Sequence, residues 1–178
     1  VLDQNTAGLE RLCDAIGQSS VQDLNLSKCQ LGPSAVAMIS EKLTLEATFG
    51  SLIVLDVSGN PGILGELDQS GRLKTADVHV EQFKRLAAAI GQLPNIASLK
   101  LASIGMGPKG AMVFGEKLEQ GEGGEKLMGA MSLDISGNFV FGSKDSDPGK
   151  LWNRTVHNVD VDQTGWQAIC SALGSCSI

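Results

Sequence analysis

LGPSAVAMISEKL, residues 31–43, comes back as MGPKGAMVFGEKL, residues 106–118. The Gly-Pro pair, the apolar spacing and the Glu-Lys-Leu ending agree in both copies. A chain that reuses a segment in this way is building a repetitive architecture, and that reading has to precede any other. Working outward, LDVSGN (55–60) returns as LDISGN (133–138). LERLCDAIG (9–17), FKRLAAAIG (83–91) and WQAICSALG (166–174) form a third matched set.

These segments alternate between two periods. Leu9, Leu12, Cys13 and Ile16 follow the i, i+3, i+4, i+7 spacing of a helix with one apolar stripe, as do Phe83, Leu86, Ala87 and Ile90, and Trp166, Ile169, Cys170 and Leu173. A second helix type carries Val36, Ile39, Ser40 and Leu43, then Ala111, Phe114, Gly115 and Leu118. The i+4 place is small in every copy, which predicts the point where each helix lies closest to a sheet. Between the helices lie four short strand-like runs. The first holds Val21, Leu24, Leu26, Cys29 and Leu31, and the second Leu52, Leu55, Val57 and Asn60. The third holds Ile96, Leu99, Leu101, Ile104 and Met106, and the fourth Ala130, Leu133, Ile135, Asn138 and Val140. Strand alternation sends Leu24 and Leu26 to one side and Asn25 to the other.

The four runs fit Leu-x-x-Leu-x-Leu-x-x-(Asn/Cys)-x-Leu, and the chain resembles leucine-rich repeats of the ribonuclease-inhibitor-like subfamily. The resemblance implies an α/β solenoid, a horseshoe segment with parallel strands on the concave face and helices on the convex face. It also implies paired repeats, one with Asn and one with Cys at the turn. Here that position runs Cys29, Asn60, Ile104, Asn138. Ile104 cannot hydrogen-bond a turn as Asn does, so the third turn is expected to be looser. The spacing departs from the family's roughly 20–29 residues: Leu24 to Leu55 is 31 residues, Leu55 to Leu99 is 44, and Leu99 to Leu133 is 34. The excess forms two insertions, 64–82 and 142–165, which end alike in DVHVEQ (77–82) and NVDVDQ (158–163). Ile178 falls where a fifth strand would begin. Residues 1–178 are therefore expected to be a single array and a piece of a longer one.

With 178 residues, 42% hydrophobic and 19% charged, the chain can bury one sizeable core. It contains no apolar run of membrane-spanning length, so no membrane insertion is expected. A net charge of −6 without a Lys/Arg cluster argues against nucleic acid, whose affinity rests on phosphate neutralisation. Cys13, Cys29 and Cys170 occupy turn or small helix positions and are expected to be buried and inert, which favours a reducing compartment.

Several stretches imitate catalytic or ligand-binding motifs. GMGPKG (105–110) follows a strand and opens a helix, as a dinucleotide-binding loop does. Only Gly107 and Pro108 recur in the sister copy, as Gly32 and Pro33. Those two suit a strand-to-helix corner, with Pro starting the helix. The acid such a site needs is offered only by Asp134, whose counterpart Asp56 stands at the same strand position. GEGGEK (121–126) lacks the ending of a phosphate loop, and Asp145-Ser-Asp147 lacks the ligand ladder of a calcium loop. Asp77, His79 and Glu81 alternate and would share one face of a short strand, which reads as solvated rather than metal-binding. No cofactor is expected, and no enzyme activity.

What remains is a partner surface. The central outward strand position reads Asn25, Asp56, Lys100, Asp134, with Ile53, Val54 and Met131 adding apolar area beside it. Parallel strands lie about 4.8 Å apart, which sets Lys100 between two aspartates. Insertions often carry binding as well, so Arg72, His79, Trp152 and Arg154 are the further candidates. The expectation is a non-catalytic scaffold presenting its concave sheet and two long loops to a protein partner. The resemblance implies two other roles. One is a GTPase activator, inhibitor or sensor, with Arg72 or Arg154 as the activator's catalytic side chain. The other is an accessory subunit of a multiprotein assembly.

Overall fold

Leucine at the middle of each strand, flanked by polar residues except at Val54, produces a sheet with one dry and one open side. The computed structural model describes residues 2–3, 6–45, 50–120, 132–142, 144–145, 156–157 and 160–174. Strands β1 (Asp23–Asn25), β2 (Val54–Asp56), β5 (Ser98–Lys100) and β6 (Ser132–Asp134) form a parallel sheet in that order. The register aligns Leu24, Leu55, Leu99 and Leu133. Five helices lie among the described residues: α1 (Ala7–Gly17), α2 (Pro33–Leu45), α3 (Val80–Gly91), α4 (Pro108–Gln120) and α5 (Thr164–Gly174). None is long and apolar enough to cross a membrane. The expected start of a fifth strand at Ile178 lies outside the described residues.

Strand and helix leucines share one core. Leu52, Leu55, Leu99 and Leu101 from the sheet side and Phe83, Ile90 and Phe114 from the helices are fully buried. The rings of Phe83 and Phe114 meet at 6.3 Å between centroids. Each such side chain contributes about 1.5–3 kcal/mol by leaving water. The helical spacing of Phe83, Leu86, Ala87 and Ile90 places all four in this core. On α5 only Ile169 of the corresponding stripe is buried, together with Ala172 from outside it, whereas Trp166, Cys170 and Leu173 are exposed.

The turns after the strands explain the Asn positions. Asn60 is wholly buried. Its Oδ1 accepts the Leu31 N–H (3.1 Å), and its amide donates to the carbonyls of Leu26 (2.9 Å) and Val57 (2.8 Å). Asn138 repeats this one pair later, accepting from Ile104 (3.0 Å) and Met106 (3.2 Å) and donating to Leu101 (2.7 Å) and Ile135 (3.0 Å). Each asparagine thus closes the turn of the preceding strand as well as its own. This corrects the expectation of a looser third turn. Ile104 has no need of a polar side chain, because Asn138 reaches back to its N–H, and Ile104 itself is fully buried. The backbone pairs the turns in the same way. Lys28 and Ser103 adopt φ of 57° and 53°, and each lies over a glycine of the next turn, Gly59 and Gly137, at φ of 70° and 65°.

Each insertion contains an antiparallel strand pair, a hairpin in the first. In the first, β3 (Glu66–Leu67) pairs with β4 (Leu73–Thr75); in the second, β7 (Lys144–Asp145) pairs with β8 (Val156–His157). The segment DVHVEQ is not a strand: α3 starts at Val80, His79 precedes its first residue, and the insertion ends before residue 80. Among the described residues no group of three or more His, Cys, Asp or Glu is placed to hold a metal ion.

Two further expectations are corrected. The small i+4 residue of α4, Gly115, marks the approach of a neighbouring helix rather than of the sheet, since a Cβ there would stand 2.6 Å from the Ala168 main-chain carbon of α5. Of the cysteines, Cys13 is buried, but Cys29 and Cys170 are exposed. Cys29 follows the edge strand β1 and borders a groove of about 460 Å³ lined by Leu9, Leu12, Leu26 and Leu31. Its counterparts Asn60 and Ile104 follow inner strands and are covered on both sides. Cys170 stands on the flank of α5 that carries the exposed Trp166 and Leu173.

Candidate functional site

On the open side of the sheet, the register sets Asn25, Asp56, Lys100 and Asp134 in one transverse row. Beside it run Asp23, Val54, Ser98 and Ser132 in a second row. Apart from Lys100, these side chains are short, so the strand backbone lies near the surface. Three members of the central row bind their own turns. Asn25 Oδ1 accepts the Ser27 N–H, Asp56 Oδ1 that of Ser58, and Asp134 Oδ1 that of Ser136, each at 2.9 Å. Such side-chain turns free one carboxylate oxygen per aspartate for other partners.

Lys100 takes one of these. Its Nζ lies 3.8 Å from Asp56 Oδ2, a half-exposed ion pair of the kind that contributes about 0–1 kcal/mol. Asp56 was expected to be exposed and is instead 8% exposed, because Lys100 and its own turn cover it. Asp134 remains accessible. The N–H and hydroxyl of Ser136 hold its carboxyl below the usual carboxylate range, and the charge of Lys100 adds to this. With its folded value depressed, Asp134 contributes stability at neutral pH that is lost as the pH falls through that lowered value. Ile53, half-buried, binds the neighbouring strands through its main chain, donating to Gln22 and accepting from Ala97 and Ser98. Met131 lies outside the described residues.

Arg72 stands exposed in the first hairpin's turn, where Asp68 Oδ1 accepts the N–H groups of Ser70 and Arg72. At the hairpin base, Lys74 Nζ meets Glu66 Oε1 at 2.9 Å and holds that carboxyl below its ordinary range. The His79 N–H donates to the Leu64 carbonyl at 3.0 Å, so its position is fixed by the hairpin root. Trp152 and Arg154 lie outside the described residues. The structure therefore gathers Asn25, Asp56, Lys100 and Asp134 into one row, with Arg72 and His79 on the separate hairpin insertion.

The glycine corner 105–110 is a second concentration of polar geometry. Asp77 sets its carboxylate against the start of α4. Oδ1 accepts from Gly107 (2.8 Å) and Gly110 (3.0 Å), and Oδ2 from Lys109 (2.9 Å). The sister corner is held alike: Asp3 accepts from Gly32 (3.0 Å), Ser34 (2.8 Å) and Ala35 (3.3 Å). Both aspartates are left-handed, at φ of 57° and 58°, and so is Asp160, at 57°. Sequence comparison of the two insertion ends aligned DVHVEQ with NVDVDQ and missed this match, which is shifted by two residues. The signal was a constant spacing to the helix stripe, from 3 to Leu9, 77 to Phe83 and 160 to Trp166. Gly105 has its own reason. It adopts φ +81°, and a Cβ would stand 2.6 Å from the Pro61 carbonyl oxygen and 2.9 Å from the Gly65 nitrogen, at the hairpin root. Gly105→Ala is expected to cost about 2 kcal/mol from φ strain and crowding together. At the hairpin tip, Gly71→Ala meets no atom within 4 Å and should lose only about 1 kcal/mol through its φ of +75°. Chemical denaturation of both variants checks the difference.

No family model matches this chain, and no curated protein matches it.

Proposed function

We propose that the chain is a leucine-rich-repeat array of the ribonuclease-inhibitor-like kind that works as a non-catalytic scaffold, receiving a protein partner on the open face of its sheet. The parallel strands in consecutive chain order and the asparagines that bridge successive turns support the repeat reading. The observation that carries the functional one is the asymmetry of the sheet. One side is sealed by leucines against the helices, while the other presents short, mostly polar side chains, with Val54 among them, around Lys100. Repeat arrays bind through extended surfaces of this kind. The hairpin carrying Arg72 supplies a second contact region, as insertions in such arrays commonly do.

The test is a comparative capture. Wild-type protein, an Asn25→Ala/Lys100→Ala variant and a variant with hairpin 66–75 trimmed to a short turn are used to isolate binding proteins. A specific partner should bind the face variant at least about tenfold more weakly, as loss of a central interface contact does. The variant's circular dichroism and unfolding midpoint should stay close to wild type. A partner held by the face variant as tightly as by wild type would remove the open face as the site.

A further inference from the structure

The groove beside Cys29 has walls that recur, filled, in the interior of the same molecule. It lies between α1 and the edge strand β1 and is lined by Leu9, Leu12, Leu26, Cys29 and Leu31. The matched positions on α3 and after β5 are Phe83, Leu86, Leu101, Ile104 and Met106, and all five are fully buried. The segment 52–64 occupies that interior place. Its Leu52, Leu55, Val57, Ile63 and Leu64 are as deeply buried as the walls. Its main chain reaches both sides. Val57, Gly59 and Leu64 donate to the carbonyls of Lys100 (3.0 Å), Ala102 (2.8 Å) and Ile104 (3.1 Å). The Leu64 carbonyl accepts the N–H groups of Val78 (2.7 Å) and His79 (3.0 Å) at the start of α3.

At the groove the corresponding contacts are unmade. The counterparts of Lys100 and Ile104 are Asn25 and Cys29, whose carbonyls meet no main-chain donor among the described residues. The Gln22 carbonyl and the Leu26 N–H serve β2, so alternation turns the main-chain groups of Asp23 and Asn25 to the open edge. Leu12 is 44% exposed, whereas its counterpart Leu86 is 1% exposed.

We infer that this groove docks an extended segment of another polypeptide, added parallel to β1 and carrying the Leu-x-x-Leu-x-Val-x-x-Asn spacing of residues 52–60. An open edge gives such a strand its main-chain hydrogen bonds, and the apolar recess beside it reads alternate side chains. The helix that follows β2 in the chain is α3, and its match α1 is already in place at the groove. The occupant is therefore a strand without a helix of its own. A second copy does not meet this condition: its β6 is followed by α5, which would compete with α1 for one place. The groove is separate from the open face of the sheet, so the inference does not rest on the scaffold reading.

The experiment adds a synthetic peptide with the sequence of residues 50–65, flanked by lysines for solubility, to the intact chain. Alkylation of individual thiols is followed by mass spectrometry. Cys29 lines the groove, whereas Cys170 is exposed on α5 and serves as the reference. At a peptide concentration about four times its Kd, Cys29 should react about fivefold more slowly by simple occupancy, with Cys170 unchanged. The Asp23 amide should exchange more slowly with solvent as well. A Leu55→Asp/Val57→Asp peptide should not protect. Leu12→Asp in the protein, at an exposed position, should weaken binding of the original peptide at least about tenfold. Equal protection by the two peptides, or equal protection of the two thiols, would overturn the inference. So would an unprotected Cys29 at about 1 mM peptide, the weak end of specific binding. Dimerisation that protects Cys29 without peptide would assign the groove to a second copy and overturn it too.

Discussion

Asn60→Ala should cost about 3 kcal/mol or more and bring the unfolding midpoint down steeply. The side chain is wholly buried and joins two strands: Oδ1 serves the Leu31 N–H, and Nδ2 serves the carbonyls of Leu26 and Val57. Alanine leaves these groups dry and unpaired, at about 1–3 kcal/mol each before relaxation or water entry. Against the usual 5–15 kcal/mol of a folded domain that is a large share. Asn60→Asp should fare no better, because a carboxylate can accept from Leu31 but cannot donate to either carbonyl. Asn25→Ala provides the contrast. Its one side-chain bond, to the Ser27 N–H, is exposed and worth about 0.5 kcal/mol. Urea titration of the three variants measures the ranking. A cost for Asn60→Ala within 1 kcal/mol of that for Asn25→Ala would show that the bridge contributes little.

Gly115→Ala is the second large effect, and its sign is the informative part. In an exposed helix interior, alanine gains about 1 kcal/mol over glycine. At residue 115 the new Cβ would lie 2.6 Å from the main-chain carbon of Ala168 and 2.8 Å from its oxygen. These are backbone atoms of α5, so relief requires moving a helix rather than a side-chain tip. Overpacking costs about 1–3 kcal/mol, and against main-chain atoms this close it should reach the top of that range, for a net loss of about 2 kcal/mol after the propensity gain. Gly8→Ala in α1, which meets nothing within 4 Å, should instead gain a few tenths to about 1 kcal/mol. Paired thermal or urea unfolding curves decide the matter. Stabilisation by both substitutions would mean that α4 and α5 pack less closely than these distances.

Where the sequence was legible, local pattern and tertiary placement agreed. The leucines at 24, 55, 99 and 133 align in the parallel sheet, and the stripe of α3 enters the core, because period and burial carry the same information. The reading failed where a residue answers to a neighbour distant in sequence. Ile104 looked like a defect because the donor set that satisfies its turn belongs to Asn138. Gly115 looked like a helix–sheet contact because periodicity does not say which element is nearest. Cys29 and Cys170 matched buried positions in other copies but stand at an edge and on an open flank, and a repeat pattern treats edge and interior alike. At the candidate site, the row Asn25, Asp56, Lys100 and Asp134 follows from strand alternation alone. The burial of Asp56 does not, since it depends on where the Lys100 side chain lies. Nor does the carboxylate in the glycine corner, whose donors and acceptor stand about 30 residues apart.

The backward reach of Asn60 and Asn138 sets the grain along which this chain can be duplicated or cut. A break introduced between β1 and β2 would separate Leu31 from the amide that satisfies it, and one between β5 and β6 would do the same to Ile104 and Met106. Between β2 and β5 no asparagine bridges the turns after the strands among the described residues; the one asparagine that crosses, Asn95, meets the Gly50 carbonyl at the exposed opposite end of the strands. Recombination that adds or deletes two strands together therefore leaves each asparagine bridge intact, whereas a change by one strand strands a polar group in the core. The engineerable module of this protein is accordingly the strand pair, and chimeras joined between residues 76 and 77, which keep Asp77 with the α4 start it caps, should fold more readily than those joined between 32 and 51.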